Sequence, residues 1–197
     1  MTHGEVTNTI FDEPLFGYAE LGLCSLLVDY GDLRLKGKLS QPLTSPQKVL
    51  SRTSPIVKRI RESGRARSAQ VRRPRSYLYV PTVYNGTLHY GPYRGFEDGL
   101  YVKWQSELLS IVPNVVMKAH PKSPRPFFSN PVESRLLEKC FLEYDVLILD
   151  YYSTAATIVI SSNKPVVFFD IGLRNLMPEY LVALRERCFY VDIDWVN

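Results

Sequence analysis

The chain has 197 residues, 45% of them hydrophobic and 22% charged, with a formal net charge of +4. That size and composition predict a soluble globular domain, or one domain with part of a second, and exclude a disordered or collagen-like chain. No apolar run reaches the ~18 residues of a membrane span, and "MTHGEVTN" lacks the regions of a signal peptide, so a cytoplasmic protein is expected.

The three cysteines, Cys24, Cys140 and Cys188, are odd in number and widely spaced, which predicts reduced thiols rather than a disulfide framework. His3, His89 and His120 have no zinc-site spacing, so no metal and no tightly bound cofactor is expected. Charge is uneven. Lys48–Arg75 carries ten Lys or Arg against one acid, Glu62, a local +9 that leaves −5 for the rest of a +4 chain.

Residues 1–75 read as a junction or linking segment. "GYAELGLCSLLVDYG" has room for a helix and a strand, and "SPIVKRIRESG" predicts a short basic helix with Ser54 as N-cap and Pro55 at its first position. From Ser76 to the end, residues 76–197, strands alternate with helices. The predicted strands are "SYLYVPT" (76–82), "NVVMKA" (114–119), "DVLILD" (145–150), "PVVFFD" (165–170) and "CFYVDI" (188–193). The predicted helices are Gly99–Val112, with Leu100, Trp104, Leu108 and Ile111 as its apolar stripe, Val132–Leu142, started by Asn130-Pro131, and Met177–Arg187.

"STAATIVISSN" (153–163) favours a strand on β-branched content. A crossover between parallel strands needs at least about ten residues, which predicts a helix instead. The fold class that follows is α/β: a Rossmann-like parallel sheet with helices on both faces, preceded by a less regular N-terminal segment.

In such a sheet the carboxyl ends of the strands lie along one edge, where ligands bind. The predicted strand ends carry Thr82, Tyr84 and Asn85, then His120, Lys122 and Ser123, then Asp150, Tyr151, Tyr152, Ser153 and Thr154, then Asp170 and Gly172. Ser153-Thr154 at a helix start offers hydroxyls and free N–H groups to a phosphate, with His120 and Lys122 as charged donors beside it. Tyr151 and Tyr152 are candidates for stacking on a base. A cap, a His-Pro turn and a bracing Asp are the plainer uses of the same residues; their gathering on one rim favours ligand binding.

"YVPT", "KAHP", "DVLILDYYST" and "NKPVVFFD", in that order, resemble the C-terminal, donor-binding lobe of GT-B-fold bacterial surface-polysaccharide transferases. Surface-carbohydrate biosynthesis transferases resemble the chain more closely, through Tyr79–Thr82, Gly91–Gly95, Trp104-Gln105 and Val115–Ser123. CDP-glycerol glycerophosphotransferases and bacterial sialyltransferases resemble it more distantly. The likeness runs from Tyr77 to Asp170, with weak traces at His3-Gly4 and Tyr30-Gly31.

The resemblance implies a nucleotide-activated donor (CDP-, CMP- or UDP-linked) with His120 as the catalytic contact to its phosphates. Thr82, Lys122, Ser123, Asp150, Ser153 and Thr154 would line the donor site. It also implies transfer of a sugar or polyol phosphate to a polymer or lipid-linked acceptor, with the general base on an acceptor lobe that 75 residues are too few to build. Asp150-Tyr151-Tyr152-Ser153-Thr154 is one residue longer than the family's Asp-Tyr-Ser-Ser turn, and Thr157 stands where many relatives have an acid.

A nucleotide-sugar epimerase shares this architecture and is the alternative enzyme. A non-enzymatic anion-binding module, using Lys48–Arg75 at the inner membrane surface, is the alternative from another class. No zinc-finger or RNP pattern supports specific nucleic-acid recognition.

Overall fold

The computed structural model describes residues 26–29, 48–51, 55–65, 76–84, 97–121, 123, 128–173, 176 and 178–194. Two short strands open it, β1 (Leu26–Asp29) and β2 (Lys48–Ser51), paired parallel with Leu26 opposite Lys48. Helix α1 (Pro55–Arg65) follows. β1 falls within residues 17–31, where the sequence leaves room for a helix and a strand, whereas β2 at the head of the basic stretch was not expected. The proposed N-cap, Ser54, lies outside the described residues.

The main sheet has five strands: β3 (Tyr77–Val80), β4 (Val115–Met117), β5 (Val146–Leu149), β6 (Val166–Asp170) and β7 (Phe189–Asp192). Their order is β4-β3-β5-β6-β7 and every pairing is parallel. The connections carry α2 (Asp98–Ile111), α3 (Leu137–Cys140, running on into a 3₁₀ turn at Phe141–Glu143), α4 (Thr154–Ile160) and α5 (Pro178–Arg187). This is the expected α/β, Rossmann-like architecture.

Two cores follow from that order. The chain moves from β3 outward to β4, then returns across β3 to β5 and continues the other way, so a single crossover hand sends α2 to one face and α3–α5 to the other. On the first face Tyr79, Val115, Met117 and Ile148 pack against Tyr101, Trp104 and Leu108 of α2. On the second, Leu78, Leu147, Leu149 and Val166 pack with Phe141, Ala156, Val159 and Leu184. Ile60 of α1 joins this second core. The basic helix is therefore seated on the domain that follows it.

The short hydrophobic strands are buried as predicted: Leu78, Leu147 and Leu149 have no exposed surface. α4 is helical despite its Thr, Ile and Val content. The crossover requirement outweighs local propensity there.

Two expectations fail. Val132–Leu142 is not one helix. Met117 N–H donates to Pro131 O at 2.8 Å and Glu133 N–H to Met117 O at 2.9 Å, so the backbone at 131–133 continues the sheet edge as a parallel bridge to β4. Arg135 then closes on Glu133 and Glu143, and only residues 137–140 wind into a helix. The stripe of α2 is also rotated. Ile111 is 77% exposed and Leu100 43%, while Tyr101, Trp104, Gln105 and Leu108 are buried. Tyr101, Trp104 and Gln105 are polar-tipped, and each finds a buried hydrogen-bond partner.

Candidate functional site

The sheet order reverses between β3 and β5. In open α/β sheets the crevice outside the carboxyl ends at such a switch point is where ligands bind. β3 leads into Pro81–Tyr84 there and β5 into Asp150–Ser153, while β4 on the other side of β3 leads into Lys118–Ser123. Parallel pairing puts all these ends on one edge, as the sequence predicts.

The floor of the crevice is a closed polar hub. Asp150 follows the apolar strand β5 and is only 2% exposed. Its Oδ2 accepts the Trp104 Nε1–H at 3.0 Å and the Tyr79 hydroxyl, and its Oδ1 accepts the Tyr101 hydroxyl at 3.1 Å. The Tyr101 oxygen in turn accepts the Thr82 N–H at 3.0 Å. β3, β5, α2 and the turn after β3 are thus tied to one carboxylate.

A buried charge is tolerable when it is hydrogen-bonded this fully. Burial raises the Asp150 carboxyl to about 6, and the three donors hold it from rising further. Burial, and next the Asp150 charge, pushes the Tyr79 and Tyr101 hydroxyls well above their ordinary range. At neutral pH the hub is therefore one carboxylate held by protonated donors. A second pair, Tyr84 donating to Gln105 Oε1, lies beside it, and Tyr84 packs edge-on against Tyr101 at 5.7 Å.

The predicted site residues separate into two groups. Thr82, Asp150 and Tyr151 are buried beneath the rim. The Asp150 carboxylate turns inward to the hub, and the Thr82 N–H is spent on Tyr101. His120, Ser123, Tyr152, Ser153 and Thr154 lie at the surface or half-buried.

The Ser123 N–H donates to His120 O at 2.9 Å. His120-Pro121 is therefore a β-turn with proline at its favoured second position. The turn fixes the backbone and leaves the half-buried His120 side chain at the strand end. Lys122 and Asn85 lie outside the described residues, as does the Gly91–Gly95 motif.

Ser153 occupies the N-cap of α4 in an extended conformation, and its side chain makes no capping hydrogen bond. Its carbonyl accepts the Thr157 N–H at 3.0 Å, the first bond of the helix. α4 has only seven residues, so its dipole is weak and any anion contact there rests on individual N–H and hydroxyl donors.

Asp170, ending β6, accepts the Gly172 N–H at 3.0 Å and the Tyr190 hydroxyl. Gly172 has φ +75°, a left-handed conformation that glycine adopts without cost. A small cavity between the ends of β5 and β6 is lined by Asp150, Tyr151, Tyr152, Phe168, Asp170, Leu173 and Leu176.

Sequence reasoning placed Asp150 on the rim and missed the hub below it. The missed signal is in α2, where Tyr101, Trp104 and Gln105 share one helical stripe. Three buried hydrogen-bonding tips on one face require partners, and an Asp at a strand end is the natural acceptor for the Tyr101 and Trp104 donors. Among the described residues no group of three His, Cys, Asp or Glu is arranged to hold a metal ion, and no helix is long and apolar enough to cross a membrane. Comparison of the chain with family models, with curated proteins and with solved structures gave no match in any of the three.

Proposed function

We propose that residues 76–197 bind a nucleotide-activated donor at the β3/β5 switch point, as the donor lobe of a transferase that moves a sugar or polyol phosphate to a surface-polymer acceptor. The carrying observation is the strand order, β4-β3-β5-β6-β7. It sets the polar ends of β3, β4 and β5 around the one crevice where sheets of this class take ligands. The resemblance of the "KAHP" and "YYST" turns to the transferases supplies the donor class.

The geometry gives the reading a scale. Neighbouring strands lie about 4.8 Å apart, so the ends of β4 and β5, with β3 between them, are about 10 Å apart. A diphosphate that accepts a hydrogen bond at each end spans such a gap. His120 from β4 would hold one end and Ser153 and Thr154 from β5 the other, above the rigid floor made by Asp150. A preorganised floor lets the rim donors meet developing charge without rearrangement. In this reading His120 stabilises the leaving phosphate, and the proton acceptor for the acceptor hydroxyl comes from outside this lobe.

A thermal-shift panel of CDP, CMP, UDP and GDP tests the proposal. A ligand that binds the folded state raises its stability by mass action, by about 2.7 kcal/mol at a hundredfold excess over Kd. Stabilisation by at least one nucleotide is expected, with a smaller shift in His120→Ala at the same concentration. No shift from any of the four at millimolar concentration would end the donor-lobe reading.

A further inference from the structure

We infer that the small cavity between the ends of β5 and β6 seats the ribose of the donor, with the Asp170 carboxylate accepting its vicinal hydroxyls. The inference rests on the donor-lobe reading and adds an orientation to it. The nucleoside lies toward β6 and the transferred group toward β4.

The cavity selects its occupant by chemistry. Tyr152, Phe168, Leu173 and Leu176 give it an apolar and aromatic wall, and the charged groups among the described residues lining it are two carboxylates. The Asp150 carboxylate is turned to Tyr79, Tyr101 and Trp104. Asp170 is half-buried and differently engaged. Its Oδ1 accepts the Gly172 N–H and its Oδ2 the Tyr190 hydroxyl. A carboxylate has about two acceptor sites on each oxygen, so one site remains on each.

Both internal bonds hold the carboxylate in place. Gly172 turns its N–H back at φ +75°, and Tyr190 is fixed by β7 pairing and by stacking on Phe168 at 5.6 Å. An acceptor pair so placed takes two neighbouring donors. The 2′ and 3′ hydroxyls of a ribose are such a pair, whereas a phosphate oxygen is itself an acceptor and is repelled.

Size and position agree with this occupant. The cavity is small, which suits the hydroxyl-bearing edge of a sugar and not a whole base. β6 neighbours β5 on the side away from β3, one strand step of about 4.8 Å further along the edge. A ribose separates these hydroxyls from its 5′ phosphate by about one such step. With the first phosphate above the end of β5, the hydroxyl pair reaches Asp170. The second phosphate then points back across β3 toward His120.

Calorimetric titration of the full chain with CDP, UDP and GDP, each beside its 2′-deoxy counterpart, tests the assignment. A diphosphate that binds is expected to bind roughly 10-fold or more tightly than its 2′-deoxy form, since one hydrogen bond to a charged group is lost. Asp170→Asn should remove that preference. The ribose form should weaken, while the deoxy form binds as well as before or better, because a negative charge near the phosphates is gone. The unfolding midpoint checks the variant, whose amide oxygen can still accept the Gly172 N–H. Tyr190→Phe, which deletes one of the two bonds orienting the carboxylate, should narrow the preference in the same direction and serves if Asp170→Asn does not fold. Equal affinities for the ribose and deoxy forms in the wild type, or a preference of unchanged size in the folded variants, would overturn the assignment and leave the donor-lobe reading standing. Binding of none of the three diphosphates would end both.

Discussion

Asp150 and Asp170 occupy equivalent places, one at the end of β5 and one at the end of its neighbour β6, and both accept a tyrosine hydroxyl. Their surroundings make them different groups. Asp150 sits under α2, has three side-chain donors and is 2% exposed. Asp170 is half-buried and braces a turn through the Gly172 N–H. The first face of the sheet explains the contrast. Asp150 shares that face with Ile148 and lies under α2, whereas Asp170 shares the second face with Phe168 and meets Tyr190 there, although α2 also reaches β6 through Trp104 on Phe169. A carboxylate at a strand end becomes a structural hub or a surface brace according to which face of the sheet it joins and what covers that face.

Substitution gives the largest test of that contrast. Asp150→Leu would leave the Tyr79 and Tyr101 hydroxyls and the Trp104 N–H without an acceptor, at roughly 1–3 kcal/mol each. A loss of about 4 kcal/mol or more in urea unfolding is expected. Asp170→Ala frees groups that water reaches, so about 1 kcal/mol is expected there. Equal losses would erase the distinction between the two carboxylates.

The second test uses pH. The folded-state value of Asp150 is raised, to about 6, above the ordinary 3.8. The folded protein therefore holds its proton more tightly than the unfolded chain does. This group's favourable contribution is fully present below the ordinary value and is lost as pH rises through about 6. The difference between about 6 and the ordinary 3.8 corresponds to about 3 kcal/mol. Asp150→Asn, which cannot ionise, should flatten the stability profile between about pH 4 and 7 relative to wild type. An unchanged profile would show that Asp150 does not titrate in this range.

Much of this architecture was legible in the sequence, for reasons the two carboxylates illustrate. Apolar runs such as "VLIL" declare buried strands, and the length of chain between them forces the crossovers, which is why α4 was readable against its own propensity. Long-range pairing was not legible. Nothing local tells Pro131–Glu133 to bridge to Met117 rather than begin a helix. The hub was hidden for the same reason. Tyr79, Tyr101, Trp104 and Asp150 are up to 71 residues apart and meet only once the sheet order is known. The rim as a line of strand ends followed from parallel pairing alone. Which of its residues turn inward depended on where α2 lies.

The next effect lies above the hub. His120→Ala removes a half-buried side chain at a turn whose backbone bond, Ser123 N–H to His120 O, survives the substitution. The protein should keep its unfolding midpoint. A hydrogen bond to a charged group is typically worth about 1.5–3 kcal/mol, so nucleotide-diphosphate affinity should fall roughly 10- to 150-fold by titration calorimetry. Equal affinities in two folded proteins would reduce His120-Pro121 to its turn.

The smallest effect belongs to the start of α4. The Ser153 hydroxyl makes no capping bond in the folded chain, so Ser153→Ala should leave stability nearly unchanged, within about 0.5 kcal/mol. Its cost should instead appear in ligand affinity. That cost should stay below that of His120→Ala, because the uncharged hydroxyl contributes one weaker bond and the backbone N–H groups of the first turn remain. A loss of roughly 2- to 10-fold in nucleotide-diphosphate affinity is expected for Ser153→Ala and for Thr154→Ala separately. The pair also tells a phosphate contact from a sugar contact. Titration with a nucleoside monophosphate and with the matching diphosphate should show the loss mainly for the diphosphate if these hydroxyls hold the second phosphate. A stability loss of about 1 kcal/mol or more with unchanged affinity would return Ser153 to the ordinary role of a helix cap.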